Sequence, residues 1–239
     1  MALRVALTGE VGIEAAGGWV DTTGLGRLGR VAFAYLVYNR DRPVPRHELA
    51  EVVWGEDLPR TWETALRVVA SKLRTWLEGA GLGRAEALTS GFGTYQVHLP
   101  PDAVVDVEEA RAALQAAAAA LAAGDAAAAR ASATAAEQIA ARDFLPGATG
   151  TWVERRQDDL RELRVAALEV MAEATLGLGD LGAAVAAAER AVGLEPLRES
   201  AHLLLVRARA AAGNRAEALR AYERLRRALG EELGVSPSE

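Results

Sequence analysis

The sequence predicts a mainly α protein in two parts: a small mixed part in which three helices lie between short strands, then an all-helical part. Three observations predict it. Alanine-rich amphipathic stretches run through most of the chain, while aromatic residues make up only 5%; small side chains favour helix and let helices approach closely. Alternating apolar and polar runs, the mark of strands, cluster before Pro100–Pro101 and are not expected after it. Past that break, a helical pattern repeats with a period of 34 residues. The break sets two domains, 1–101 and 102–239.

Leu3–Thr8, Val11–Glu14 and Trp19–Thr22 alternate apolar and polar residues, with Gly17–Gly18 between the last two. They predict a strand followed by a hairpin, a sheet too small to stand alone. Arg27–Asn39 carries Leu28, Val31, Tyr35 and Tyr38 at helical spacing. Pro43 and Pro45 then stop the helix. A second helix, Arg46–Trp54, presents Leu49, Val52 and Val53, and Gly55–Pro59 is a turn. Ala87–Leu99 reads as two short strands around Gly91-Phe92-Gly93, with glycine supplying the positive φ of a hairpin tip.

Between turn and hairpin lies Arg60–Gly79, a helix with two unlike faces. On a helical wheel centred on Val69, Trp62, Leu66, Leu73 and Trp76 fall within about 60° of the centre. Arg60, Glu63, Thr64, Arg67, Ser71, Arg74 and Glu78 fall on the other side. One face is built to pack. The other carries basic and hydroxyl side chains of the kind that contact nucleic acid, although a charged face by itself is most often simply solvated.

Composition narrows the functional classes. With 51% hydrophobic and 25% charged residues the chain is globular rather than disordered. It has no cysteine, which excludes disulfides, thiolate metal sites and cysteine nucleophiles and fits a reducing, cytoplasmic setting. No apolar run is long enough for a membrane span, and the first residues lack the pattern of a signal peptide. The formal charge of −6 is uneven: residues 1–101 hold 11 basic and 11 acidic side chains, residues 102–239 hold 16 and 22. Any nucleic-acid surface is therefore local, on one face of the first part. No phosphate-binding glycine loop and no zinc-protease motif occurs, and His47, His98 and His202 share no local motif. No cofactor, metal or enzymatic activity is expected.

In the second part, Asp106–Ala122 and Asp125–Ala141 are alanine-rich helices joined at Gly124-Asp125. Asp106, Glu108 and Glu109 look like paired carboxylates, but acids in a first turn are favoured by the helix dipole alone. Arg142–Gly150 is a loop and Thr151–Leu178 a long helix. Gly179-Asp180 and Gly213-Asn214 then stand 34 residues apart, and Ala184–Arg190 aligns with Ala218–Arg224 at the same offset. This is the tetratricopeptide register, whose helix pairs stack into a solenoid with a concave binding face.

Three helices followed by a glycine-tipped hairpin is the order of a winged helix-turn-helix, whose third helix enters the major groove while the hairpin forms the wing. The segment RPVPRHELAEVVWGEDLPRTWETALRVVASKLRTWL with GFGTYQVHLP resembles the DNA-binding domain of the Streptomyces antibiotic regulatory protein family, itself similar to OmpR-type winged helices. Leu49, Trp54, Pro59, Leu66, Ser71, Leu73, Arg74, Gly91, Gly93 and Tyr95 carry the match. Pro45 departs from it, standing where a Ser or Thr would cap the second helix. FLPGATGTWVERR and LEPLRESAHLLLVRARAAAGNRAEALRAYERLRRALGEELGVSPS resemble the bacterial transcriptional activator domain that follows in the same family. The resemblance implies a regulator that binds double-stranded DNA, often as a homodimer on promoter repeats, and contacts RNA polymerase. On that reading Thr64, Arg67, Ser71 and Arg74 face base edges. Arg60, Lys72 and the wing residues Gly91, Phe92, Gly93 and Thr94 meet the DNA backbone. A second reading, an adaptor protein whose winged helix does not bind DNA, draws on the neutral charge of residues 1–101.

Overall fold

The computed structural model describes residues 3–83, 86–232 and 234–236. Leu233 and Pro237–Ser238, the last residues of the matched helical stretch, lie outside them. The chain forms two compact units, Met1–Glu108 with Arg142–Asp159, and Glu109–Ala141 with Leu160–Glu239.

The first unit runs β1 (Arg4–Ala6), β2 (Gly12–Ala15), β3 (Gly18–Asp21), α1 (Gly26–Tyr38), β4 (Val44–Pro45), α2 (Arg46–Trp54), α3 (Trp62–Gly79), β5 (Leu88–Gly91), β6 (Thr94–Val97) and β7 (Val104–Val105). One sheet has the order β3-β2-β1-β7, the other β4-β6-β5. The core is built on α1. Every residue from Val31 to Val37 is buried, so the helix is apolar all round, as a central helix must be. Phe33 meets Trp76 of α3 edge-on, with ring centroids 4.8 Å apart.

Two short strands correct the sequence expectation. A strand does follow Pro100–Pro101: β7 pairs in parallel with β1, Arg4 opposite Val104 and Val5 opposite Val105. Two residues are too few to display alternation, so only pairing reveals it. Likewise Val44–Pro45 is not merely a helix stop but pairs with Tyr95 and Thr94 of β6. β4 is an edge strand, where a proline's missing N–H costs no ladder bond.

The first unit also extends past residue 101. Phe144 and Leu145 are each 1% exposed. Leu145 N donates to Leu7 O (3.0 Å) and Gly9 N to Asp143 O (2.9 Å), fastening this segment beside β1. Trp152 lies edge-on to Tyr35 (5.1 Å), Tyr38 (5.7 Å) and Phe144 (5.7 Å). The stretch read as a plain loop is thus part of the core, because its apolar residues cover one side of α1.

The second unit is built from α4 (Asp106–Ala122), α5 (Ala126–Ala140), α6 (Thr151–Gly177), α7 (Leu181–Leu194), α8 (Glu199–Ala211) and α9 (Arg215–Glu232), the first residues of α4 and α6 belonging to the first unit. The repeated corners are alike in detail. Asp125 N, Asp180 N and Asn214 N each donate at 2.9 Å to the carbonyl five residues back, across a glycine of positive φ. That is the Schellman closure of a helix C-terminus. The Asp125 and Asp180 carboxylates then cap the next helix, accepting from Ala128 N (2.9 Å) and Ala183 N (3.2 Å). Alanines 172, 187, 188, 191, 201 and 221 pack with Val165, Leu168, Leu204 and Leu205 at the helix crossings.

Candidate nucleic-acid interface

α3 buries Leu66, Ala70, Leu73 and Leu77, a stripe at positions i, i+4, i+7 and i+11 that packs in the first unit. Trp76 donates from Nε1 to Asp21 O at 2.6 Å and braces one edge. The opposite face is open: Thr64, Arg67, Val68, Ser71, Lys72 and Thr75 are all exposed.

The observed stripe is rotated by about 70° from the wheel centred on Val69. Val69 itself is half-buried, and Val68 is 52% exposed. The middle of the open face is therefore Thr64, Val68, Ser71 and Thr75, four short side chains. Arg67 and Lys72 stand at its two edges. Val68 and Thr75 join the open face because Ala70 is a packing residue; the spacing Leu66-Ala70-Leu73-Leu77 is the sequence signal that places them.

Arg67 lies 3.6 Å from Glu63, with both side chains more than half exposed, so the pair contributes little and leaves the guanidinium available. Arg60 is exposed in the turn before α3. Arg74 is differently employed. Its Nε donates to Leu88 O (3.1 Å), one of its terminal nitrogens donates to Ser90 Oγ (2.9 Å), and its guanidinium lies 5.9 Å from the centre of the Tyr95 ring. These contacts bind α3 to the hairpin.

In that hairpin Gly91 pairs with Thr94 across a two-residue turn. Phe92 and Gly93 both have positive φ, 48° and 78°, the conformation of a type I′ turn. Thr94 Oγ1 donates to Gly91 O at 2.7 Å. Gly93 O accepts from Arg46 N at 2.9 Å, at the start of α2. Pro45 gives that helix no side-chain cap, so the hairpin carbonyl takes over one of its free amides. Helix start, hairpin and α3 are thereby tied together through Arg46, Tyr95 and Arg74. The Phe92 side chain is fully exposed at the tip.

Asp106 and Glu108 take structural roles in the first unit. Asp106 accepts from Leu7 N (3.0 Å), Thr8 N (3.0 Å), Thr8 Oγ1 (2.7 Å) and Val107 N (2.8 Å), clamping β1 to the start of α4. Glu108 receives both terminal nitrogens of Arg40, at 2.5 and 2.8 Å. His202 is buried with Nε2 2.9 Å from Pro196 O, while His47 and His98 are exposed on α2 and beside β6. Among the described residues no cluster of His, Cys, Asp and Glu suits a metal ion. No helix among them is long and apolar enough to cross a membrane.

Comparison with known proteins gives a consistent result. The bacterial transcriptional activator domain matches residues 105–239. The regulatory protein AfsR of Streptomyces coelicolor is 32% identical over 208 residues, which cover 87% of this chain and 20% of that protein. The transcriptional regulatory protein EmbR of Mycobacterium tuberculosis is 30% identical over 225 residues, covering 87% of this chain and 54% of that protein. This chain thus spans between a fifth and about half the length of these relatives. The solved structure of Mycobacterium tuberculosis EmbR in complex with a low affinity phosphopeptide superposes with a TM-score of 0.88 at 28% identity, over 99% of this chain and 62% of that one.

Proposed function

Since this chain belongs to the bacterial transcriptional activator domain family, with transcriptional regulators as its relatives, we propose that it is a sequence-specific DNA-binding activator acting in the cytoplasm, without enzymatic activity. The observation that carries the reading is the open face of α3, whose short polar centre lies between two long basic side chains and beside a wing. Short side chains let a helix backbone sit deep in a major groove, and the flanking cations reach outward. Thr64 and Ser71 face base edges, joined by Val68. Arg67 reads a guanine with its planar fork, because it lies in the first half of the helix, where recognition helices meet bases. Lys72, a point charge further along, meets phosphate, as do Arg60 and the wing residues Gly91, Gly93 and Thr94, with Phe92 between them at the tip of the wing. Arg74 also holds the wing against the helix, since two of its donors go to Leu88 and Ser90.

The acidic second part is a poor DNA ligand and supplies the protein contact. A groove of about 690 Å³ there is lined by Ala118, Leu121, Val170, Leu203 and Leu204, with Glu169, Glu173 and Arg207 at its rim. It suits a segment of RNA polymerase. On α9 Leu219 and Tyr222 are exposed one turn apart and suit contact with a second copy of the chain. The test is retardation of a promoter duplex by the full chain at ~50 mM salt, with loss of affinity as salt rises. Retardation of no DNA at that salt would leave an adaptor protein as the better reading.

A further inference from the structure

Phe92 breaks the rule of its own turn. The first position of a type I′ turn favours Asn, Asp or Gly, because φ is positive there, and Asn-Gly is the strongest hairpin sequence. Here the turn is Phe-Gly, and a bulky side chain sits at φ 48°. Among the described residues no contact repays that strain. The ring is wholly exposed and, among the described residues, makes none of the ring contacts that organise Phe33, Phe144 or Trp152. Strain of this kind persists at sites where function uses it.

The surroundings specify the use. Gly91 and Gly93 flank the ring, and a Cβ built on either would meet nothing within 4 Å, so the tip is narrow. Below it the stem is polar, with the hydroxyls of Ser90 and Thr94, and two guanidiniums from the neighbouring helices, Arg46 of α2 and Arg74 of α3, lie 5.5 and 5.9 Å from the Tyr95 ring. Arg74 joins the stem to the DNA-facing helix, so the tip continues the same surface. A narrow apolar wedge on a polar stem, with cations from two helices beside it, is the form of side chain that enters a minor groove and loosens the stacking of one base step.

We propose that Phe92 is such a wedge: it enters the minor groove of the duplex whose major groove α3 occupies, and partly unstacks one step beside the α3 site. The inference rests on the DNA-binding reading above. The decisive variant is Phe92→Asn, which installs the preferred Asn-Gly turn. In the full chain it raises the melting temperature of the first unit by a few degrees, because the strained residue is gone. At the same time it weakens binding to the specific duplex by about tenfold, the loss expected when one aromatic–base contact is removed. The duplex carries 2-aminopurine at successive positions flanking the α3 site. Wild-type protein brightens one of them, and Phe92→Asn does not. Equal affinity of the two proteins overturns the proposal, as does a wild-type complex that brightens no position. If Phe92→Asn loses activation of transcription but keeps full DNA affinity, the tip meets a protein, and the wedge is also overturned. If wild-type protein binds no DNA at all, it is the DNA-binding reading that fails.

Discussion

At the scale of single residues, the first unit depends on two carboxylates outside the open face of α3. Asp106 is 5% exposed and accepts from two buried backbone amides of the Leu7–Thr8 segment. Replacing it with Ala leaves both donors without an acceptor, at about 1–3 kcal/mol each if water does not enter. Asp106→Ala is therefore expected to cost roughly 2–5 kcal/mol, read as a lowered melting transition of the first unit. An unchanged transition would show that the clamp is dispensable. Glu48 joins α2 to α1: it accepts from the Arg42 fork and from the Tyr35 hydroxyl at 2.6 Å. The Arg42 hydrogen bond, more than the Tyr35 one, holds its carboxyl below the ordinary value of 4.5. A depressed folded pKa adds stability that is whole above the unfolded pKa and is lost as pH falls through the folded one. Glu48→Gln should thus lower stability at pH 7 and flatten its decline below about pH 4.5. Chemical denaturation of both proteins at several pH values checks this. Parallel curves at all pH values would contradict it. The Tyr35 hydroxyl shifts the other way, upward, through burial first and Glu48 second.

At the scale of elements, legibility in the sequence followed length and periodicity. α3 spans 18 residues, and its two faces show in the sequence. What went astray was the angle. Alanine is small enough to lie on either face, so Ala70 gave no bearing, and the wheel turned toward the larger Val69. That moved Arg67 to mid-face and Lys72 to the flank, whereas both now stand at edges with Val68 between them. The helical repeats were legible because Gly-Asp and Gly-Asn corners recur with the same backbone chemistry: a glycine of positive φ, a backward amide bond and, at two corners, a side-chain cap. β4 and β7 were not legible. Each has two residues and exists through its partner strand, and single-chain periodicity carries no trace of a partner. Arg74 shows the same limit within the site. It lies beside the open face by spacing, and only the hairpin's arrival through Leu88 and Ser90 shows where two of its donors go.

At the scale of the whole molecule, the first unit is discontinuous in sequence, and that changes what a truncation will do. A fragment ending at residue 101 loses β7, Asp106, Phe144, Leu145 and Trp152 together. It strips one side of α1 and is expected to show no cooperative thermal transition by circular dichroism; a sharp helical transition would contradict this. The charge distribution also acts at this scale: on the proposed DNA-binding reading, an acidic second part lowers non-specific attraction to DNA and leaves selectivity to the α3 face. The central claim is that this face reads sequence. One titration tests it most directly: the full chain, Arg67→Ala and Lys72→Ala, each against the specific duplex and a scrambled one at two salt concentrations. Arg67→Ala is expected to lose about 1–3 kcal/mol on the specific duplex and little on the scrambled one. Lys72→Ala is expected to weaken both alike and to lower the salt slope by about 1. Equal losses for Arg67→Ala on the two duplexes would mean that the guanidinium meets only charge, and the role assigned to α3 would be wrong.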